Sequence, residues 1–331
     1  MKKILLVGGA GFIGHNLAMK LIKKYQVKIV DSLSVNNLLS FSGDIGNNNN
    51  NFFRSILNER LNLLSKNNIE LNIIDSRNYH ELSNIFRDFS PDIVIHLAAV
   101  SHANKSNKNP HSTFDNSLRT LENSLDSARS VGSHFIYFSS SMVYGNFKAN
   151  EVNEDTECNP IGIYGTLKYC GELIVKSYNQ VFDMPYTIIR PSALYGERCV
   201  SRRVGQVFIE NILHGDKIVL EGDGSDKLDF TYIEDFIQGI ELCCENKNSI
   251  NQTFNITYGE GRKIRDLVDI LEKNFDKVNL DHKNKDKFMP VRGKLSIEKA
   301  KKLLGYSPEN SLEKGYQKYI DWYKEFFKNF N

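Results

Sequence analysis

The sequence has no apolar run long enough to span a bilayer, no excess of either charge sign, and no cysteine spacing that marks a disulfide framework, a zinc site or a redox pair. Lys2 and Lys3 do precede aliphatic residues, but Gly8 breaks that run almost at once, which excludes a membrane span there. With 42 basic and 40 acidic residues the formal charge is +2, so no electrostatic footprint for nucleic acid or a membrane surface is present. The five cysteines, Cys158, Cys170, Cys199, Cys243 and Cys244, read as reduced packing thiols, and a cytosolic protein is expected. The asparagine run at residues 47–51 reads as a solvated loop.

What is present begins at KKILLVGGAGFIG, residues 2–14. Ile4, Leu5, Leu6 and Val7 form a short apolar run of the kind buried on both faces of a parallel sheet. Phe12, Ile13, Leu17, Leu21 and Ile22 then recur at helical spacing. Between strand and helix, Gly8 permits a tight turn, Gly11 a close approach of main chain to a pyrophosphate, and Gly14 close packing of the helix. The free N–H groups at the helix start would face the phosphates. Glycine triplets also occur in plain structural turns. The next strand, residues 27–30, ends in Asp31, where a carboxylate hydrogen-bonds a ribose diol and repels the 2′-phosphate of NADP. NAD is therefore the expected cofactor.

At 331 residues the chain exceeds one ordinary core, so a large α/β domain with an appended lobe is expected. Further strands are expected at residues 69–74, ending before Asp75, at 92–97, opening into Ala98 and Ala99, at 135–138 and at 186–190. Apolar periodicity places helices between them, one with Phe114, Leu118, Leu121 and Leu125 on a single face. Small residues at the carboxyl end of a strand leave room for a ligand across the sheet. The alternation implies a Rossmann-type doubly wound parallel sheet with a smaller, interleaved C-terminal substrate-binding lobe. The dinucleotide-binding part covers 1–193, with 229–258 returning to it, and the second lobe 194–228 and 259–331.

Tyr164 and Lys168 lie four apart on an expected helix and project from one face, downstream of the serine cluster Ser139, Ser140 and Ser141. An ordinary phenol has a pKa of about 10, so service as a base near neutrality needs about 4 kcal/mol of preferential phenolate stabilisation. A cation about 4 Å away at an effective dielectric of about 20 supplies energy of that order. Lys168 is spaced to be that cation. Ser140 would hold the substrate hydroxyl while Tyr164 takes its proton and a nicotinamide takes the hydride.

Six segments together resemble the extended short-chain dehydrogenase/reductase family, in its nucleotide-sugar epimerase and dehydratase branch: GGAGFIG at 8–14, HLAA at 96–99, SSSMVYG at 139–145, YGTLK at 164–168, RPSALYG at 190–196 and DFTYIED at 229–235. The resemblance implies Ser140, Tyr164 and Lys168 as catalytic residues, with Lys168 shared between tyrosine and nicotinamide ribose. It implies Asp31 at the adenosine ribose and Asp75 with Ser76 at the adenine. Phe12, Ile13, Leu97, Ala98, Ala99 and Pro191 complete the expected cofactor contacts. A nucleotide-diphosphate sugar is the implied substrate, met by Ser140, Ser141, Arg202, Arg203 and Arg292. A homodimer is implied, formed through the helices at 114–128 and 164–178.

Dehydratases of this branch carry an Asp-Glu pair directly after the catalytic Ser/Thr, whereas this chain has Ser141 and Met142. A thioether cannot shuttle a proton. An NAD-dependent epimerase, acting at C4 through a transient keto-sugar, is therefore expected before a dehydrogenase, a reductase or a 4,6-dehydratase. A non-catalytic NAD sensor is disfavoured by the intact Tyr-Lys pair. Two departures from the family pattern bear on the diphosphate grip: Leu228 stands where an arginine is common, and Ala193 where an asparagine is.

Overall fold

Ile4, Leu5, Leu6 and Val7 are all fully buried, and their side chains alternate between two cores. Ile4 and Leu6 join one apolar cluster, Leu5 and Val7 the other. A strand covered on both faces belongs inside a parallel sheet. The computed structural model describes residues 1–41, 48–100, 103–285 and 290–330. Among them the central sheet has seven strands: β1 Lys3–Val7, β2 Gln26–Asp31, β3 Glu70–Ile73, β4 Ile93–His96, β5 His134–Phe138, β6 Tyr186–Arg190 and β7 Gln252–Asn255. Every neighbouring pair is parallel, in the order β7-β6-β5-β4-β1-β2-β3. The winding reverses at β1, between β2 and β4, and the carboxyl ends there form the crevice in which such sheets bind ligands.

The late strand β7 does return to the sheet, beside β6. Around it the chain makes small pairings: Ile218–Glu221 with Leu280–Lys283, and Lys227–Asp229 with Gly261–Lys263. Lys294–Leu295 pairs back onto Glu151–Val152. The C-terminal helix Leu312–Phe330 carries the buried Tyr316, Tyr319 and Tyr323 into the same core as Ile4 and Leu6.

Two local expectations are corrected. Residue 47 lies outside the described residues, but 48–51 are not a loop: they open the helix Asn48–Lys66. Phe52, Phe53, Ile56 and Leu57 are buried, and the packing of that stripe overrides the poor helix propensity of asparagine. The helix expected with Phe114, Leu118, Leu121 and Leu125 on one face is in fact interrupted. Pro110–Phe114 leads into a π-helical segment, Asp115–Arg119, before Thr120–Ser130. A π-turn holds an extra residue and rotates what precedes it, so Leu121 and Leu125 are buried while Phe114 is 51% exposed.

Candidate active site

Gly8 has φ +81°, and a Cβ there would lie 2.6 Å from Ala98 N. A Cβ on Gly14 would lie 2.4 Å from Gly9 O, so the helix Phe12–Leu21 packs against the glycine turn itself. Gly11 differs from both. Its φ of −73° suits any residue, and a Cβ would meet nothing nearer than Gly8 O at 3.4 Å. No packing among the described residues demands glycine there, which fits a cradle kept open for a ligand that approaches the main chain. Gly11 also caps the helix without a side-chain hydrogen bond, leaving the first N–H groups for an anion.

The glycine turn is one wall of a cleft of about 980 Å³, counted out to its open mouth. Of the residues expected at the cofactor, Gly8, Gly11, Phe12, Ile13, Gly14, Asp31, Asp75, Ser76, Leu97, Ala98 and Ala99 line it, as does Arg203 from the expected substrate set. Asp31 Oδ2 accepts from Ala10 N at 2.9 Å and Oδ1 from Leu33 N at 2.7 Å. Burial pushes its pKa up, against the pull of those two N–H groups and of Arg60. Asp75 is clasped by Arg77, Nη2 to Oδ2 at 2.6 Å and Nε to Oδ1 at 3.0 Å, which holds its carboxyl below the usual range. Arg77 Nη1 reaches on to Asp115 at 2.6 Å.

Sequence reasoning missed Arg60, Asn116 and Thr120, which also line the cleft. Arg60 is a charged intruder in the Ile56, Leu57, Leu61, Leu64 stripe, and that anomaly was the available signal. Its Nε donates to Arg198 O at 2.8 Å, its Nη1 is buried without a partner among the described residues, and burial lowers its pKa to about 10. Asn116 and Thr120 sit at the π-helical segment, and Thr120 Oγ1 donates to Ala98 O at 3.3 Å.

Beyond this cleft stands the serine segment. Ser140 caps the short turn Ser141–Tyr144, its Oγ accepting from Met142 N at 3.2 Å, so its O–H remains free to donate. Ser141 N donates to Pro191 O at 2.9 Å, which places Pro191 against the serines. The helix Gly162–Phe182 brings up Tyr164 and Lys168. Glycines let it come close: a Cβ on Gly165 would lie 2.8 Å from Met142 O, and one on Gly171 would lie 2.1 Å from Tyr137 Oη. Lys168 Nζ donates to Phe138 O at 2.7 Å and stands 5.3 Å from the centre of the Tyr137 ring. Burial lowers its pKa to about 8. Tyr164 is half-buried, near enough to Tyr137 and Arg292 for charge on each to act on the other.

The expected arginines separate. The Arg292 Nε is buried and unpartnered among the described residues. Burial and Arg203 lower its pKa to about 10, against Asp226 and Tyr164. Arg202 turns the other way: its Nε lies 3.3 Å from Glu210 Oε2 and its guanidinium 5.9 Å from the Phe53 ring centre. It is engaged by the Asn48–Lys66 and Val204–His214 helices. Adjacent residues in an irregular segment point apart, and of these two it is Arg203 that lines the cleft.

Residues 4–257 match the NAD dependent epimerase/dehydratase family. The UDP-glucuronate 4-epimerase of Thermodesulfobacterium geofontis is 28% identical, over 97% of this chain and 96% of that protein. The crystal structure of UDP-glucuronic acid 4-epimerase from Bacillus cereus, with UDP-glucuronic acid and NAD, superposes with TM-score 0.87 at 30% identity, covering 98% of this chain and 99% of the other. UDP-glucose 4-epimerase from Thermotoga maritima, solved with UDP-glucose, gives TM-score 0.85 at 28% identity, with 98% and 99% covered. The chain belongs to the NAD dependent epimerase/dehydratase family, and NAD is its cofactor.

Proposed function

We propose that this protein is a nucleotide-sugar 4-epimerase. The observation that carries the reading is the proton chemistry gathered at the serine turn. Lys168 is a buried cation beside it, Tyr164 lies one helical turn away, and Ser140 keeps a free O–H. The positions following Ser140 hold Ser141 and Met142, neither a carboxylic acid. One base suffices for oxidation at a sugar carbon, whereas loss of water needs a second acid and base. The similarity to 4-epimerases supports the same choice.

Bound NAD supplies the hydride acceptor. The open face at Gly11 and the N–H groups of Phe12 and Ile13 would hold its pyrophosphate, Asp31 a ribose diol, and Asp75 with Ser76 the adenine end. Pro191 would border the nicotinamide end. Lys168 has one ammonium hydrogen committed to Phe138 O, leaving two for the Tyr164 oxygen and a ribose hydroxyl. Ser140 donates to the sugar C4 oxygen while Tyr164 draws off its proton. The keto-sugar would turn over and take the hydride back on its other face as Tyr164 returns the proton to the C4 oxygen, so that the product is the C4 epimer and NAD is restored.

Arg203 and Arg292 would grip the diphosphate, in place of an arginine at 228. The exposed Leu173, Val181 and Phe182 on the Gly162–Phe182 helix support a homodimer through that surface. Among the described residues no helix is long and apolar enough to cross a membrane. The test is incubation of the NAD-loaded protein with UDP-glucose and UDP-glucuronate, with products resolved by NMR. The expected result is the C4 epimer with no net NADH. A 4-keto-6-deoxy sugar, or NADH in proportion to substrate, overturns the proposal.

A further inference from the structure

Beneath the serine turn, away from the cofactor cleft, lies a buried polar network for which proton transfer has no direct use. At its centre is Glu172, fully buried, one helical turn past Lys168 and two past Tyr164, so that the three share a face of the Gly162–Phe182 helix. Glu172 Oε1 accepts from Ser139 Oγ at 2.5 Å and from Arg190 Nε at 2.9 Å, and Oε2 accepts from Arg190 Nη2 at 2.7 Å. Arg190 Nη1 donates to Tyr144 Oη at 2.9 Å and to Glu154 O at 3.3 Å. Tyr144 Oη donates in turn to Asn255 Oδ1 at 2.8 Å, on β7.

Each of these partners adjoins a part of the candidate active site. Ser139 precedes Ser140. Arg190 precedes Pro191, whose carbonyl fixes Ser141, and Tyr144 ends the turn that Ser140 caps. One carboxylate thus ties the helix bearing Tyr164 and Lys168 to the two strand ends that shape the serine turn. A buried ion pair is weak as a source of stability, because apolar replacement is often neutral or better. It is strong as a source of geometry, because a guanidinium meets a carboxylate side-on in one arrangement, whereas apolar surfaces can slide.

We propose that Glu172 is a positioning residue that holds, through Ser139 and Arg190, the register among Tyr164, Lys168 and Ser140. The role rests on reading those three as the proton-transfer set. Arg190 also cancels the Glu172 charge one turn from the lysine. The groups facing Glu172 are Arg190 and Tyr186 from β6, Tyr137 from β5, Cys158, and Tyr169 on its own helix, with Lys176 near Cys158. Those facing Lys168 are Tyr137 from β5 and His96 from β4.

Two variants of the full NAD-loaded chain test this. Ser139→Ala removes the strap and leaves the ion pair. It is expected to melt as the wild type does, to retain NAD, to keep KM within about twofold, and to lose at least about tenfold in kcat through misplacement of the reacting groups. Glu172→Gln leaves Arg190 uncompensated. The Lys168 titration, followed by NMR of protein labelled at lysine Cε and assigned with Lys168→Met, is expected to fall by about one unit, the effect of a unit charge about 10 Å away at a dielectric of about 20. Unchanged kcat in Ser139→Ala, or an unmoved Lys168 midpoint in folded Glu172→Gln, overturns the proposal. If Glu172→Gln does not fold, Ser139→Ala decides. Should the wild type turn over no nucleotide sugar, the midpoint decides: a shift then sustains the coupling and refutes only the proposed activity.

Discussion

Gly171→Ala separates the geometry of the site from the stability of the fold. The added Cβ would lie 2.1 Å from Tyr137 Oη and 2.5 Å from Tyr137 Cζ, and ordinary contact begins near about 3.5 Å, so something must retreat by about 1.4 Å. Tyr137 has little room: it is 3% exposed, stacked on His96 and in contact with Lys168 over its ring. The helix therefore takes up the strain and carries Lys168 and Tyr164 with it. Overpacking of this kind costs about 1–3 kcal/mol, while alanine is favoured over glycine in a helix interior by about 1 kcal/mol. The net destabilisation is then at most about 2 kcal/mol. A displacement of about 1 Å at reacting groups costs about a hundredfold in rate. Urea unfolding and steady-state assay of the proposed epimerisation on the same preparation should show a small loss of stability beside a large loss of kcat. Wild-type kcat in Gly171→Ala would refute the reasoning, because it would mean that the added Cβ is accommodated without displacing the reacting groups.

Burial lowers the Lys168 pKa to about 8, so its ammonium form dominates below that pH and kcat should fall as pH rises past it. An unfolded lysine keeps its proton to about 10.4, so between those values the unfolded chain binds more protons and this residue's contribution to stability improves with pH. Lys168→Met should therefore abolish the proposed epimerisation yet raise stability at neutral pH by about 1–3 kcal/mol in urea unfolding; a destabilised variant would sink that sign. Ala193 holds φ +33°, a left-handed conformation unfavourable to alanine, so Ala193→Gly should stabilise by about 0.5–1 kcal/mol, read in the same assay. Asp31→Ala removes an acceptor from two main-chain N–H groups and a charge hostile to a 2′-phosphate. It should weaken NAD binding by about tenfold or more while NADP binding holds or improves; equal losses for both cofactors would count against the ribose assignment.

The strands, the glycine turn and the strand-end carboxylate were legible because each is a local statement. Alternation or continuity of apolar residues names a strand, and a φ of +81° at Gly8 names a glycine. What escaped depends on distant packing. The π-helical segment at Asp115–Arg119 adds a residue to a turn without any sidechain signature of its own. The asparagines at 48–51 are helical because Phe52 and Phe53, further along, pack beneath Phe326, Phe327 and Phe41. Arg202 and Arg203 are equivalent in sequence and opposite in space, a distinction made by Glu210 on a helix that starts after both. Glu172 was visible as one more polar residue on the helix of Tyr164, but its partners Ser139 and Arg190 come from the carboxyl ends of two separate strands.

The departure from the family pattern at position 228 becomes intelligible from its surroundings. Leu228 is 9% exposed and part of the main apolar cluster, so an arginine in this packing would carry a guanidinium into apolar surroundings at a cost of several kcal/mol. Next to it, Asp229 turns its carboxylate to Leu295 N at 3.1 Å, Thr257 Oγ1 at 3.0 Å and Gly259 N at 3.2 Å. That contact anchors the Lys294–Leu295 strand shortly after Arg292, on which the charges of Arg203 and Tyr164 both act. Positive charge withheld from position 228 is thus gathered on a neighbouring segment that Asp229 itself holds down. Burial raises the Asp229 pKa to about 7, so its ionised form is the costly one. The three donors aimed at it are what keep an acceptor in place, and with it the segment on which the proposed diphosphate grip depends.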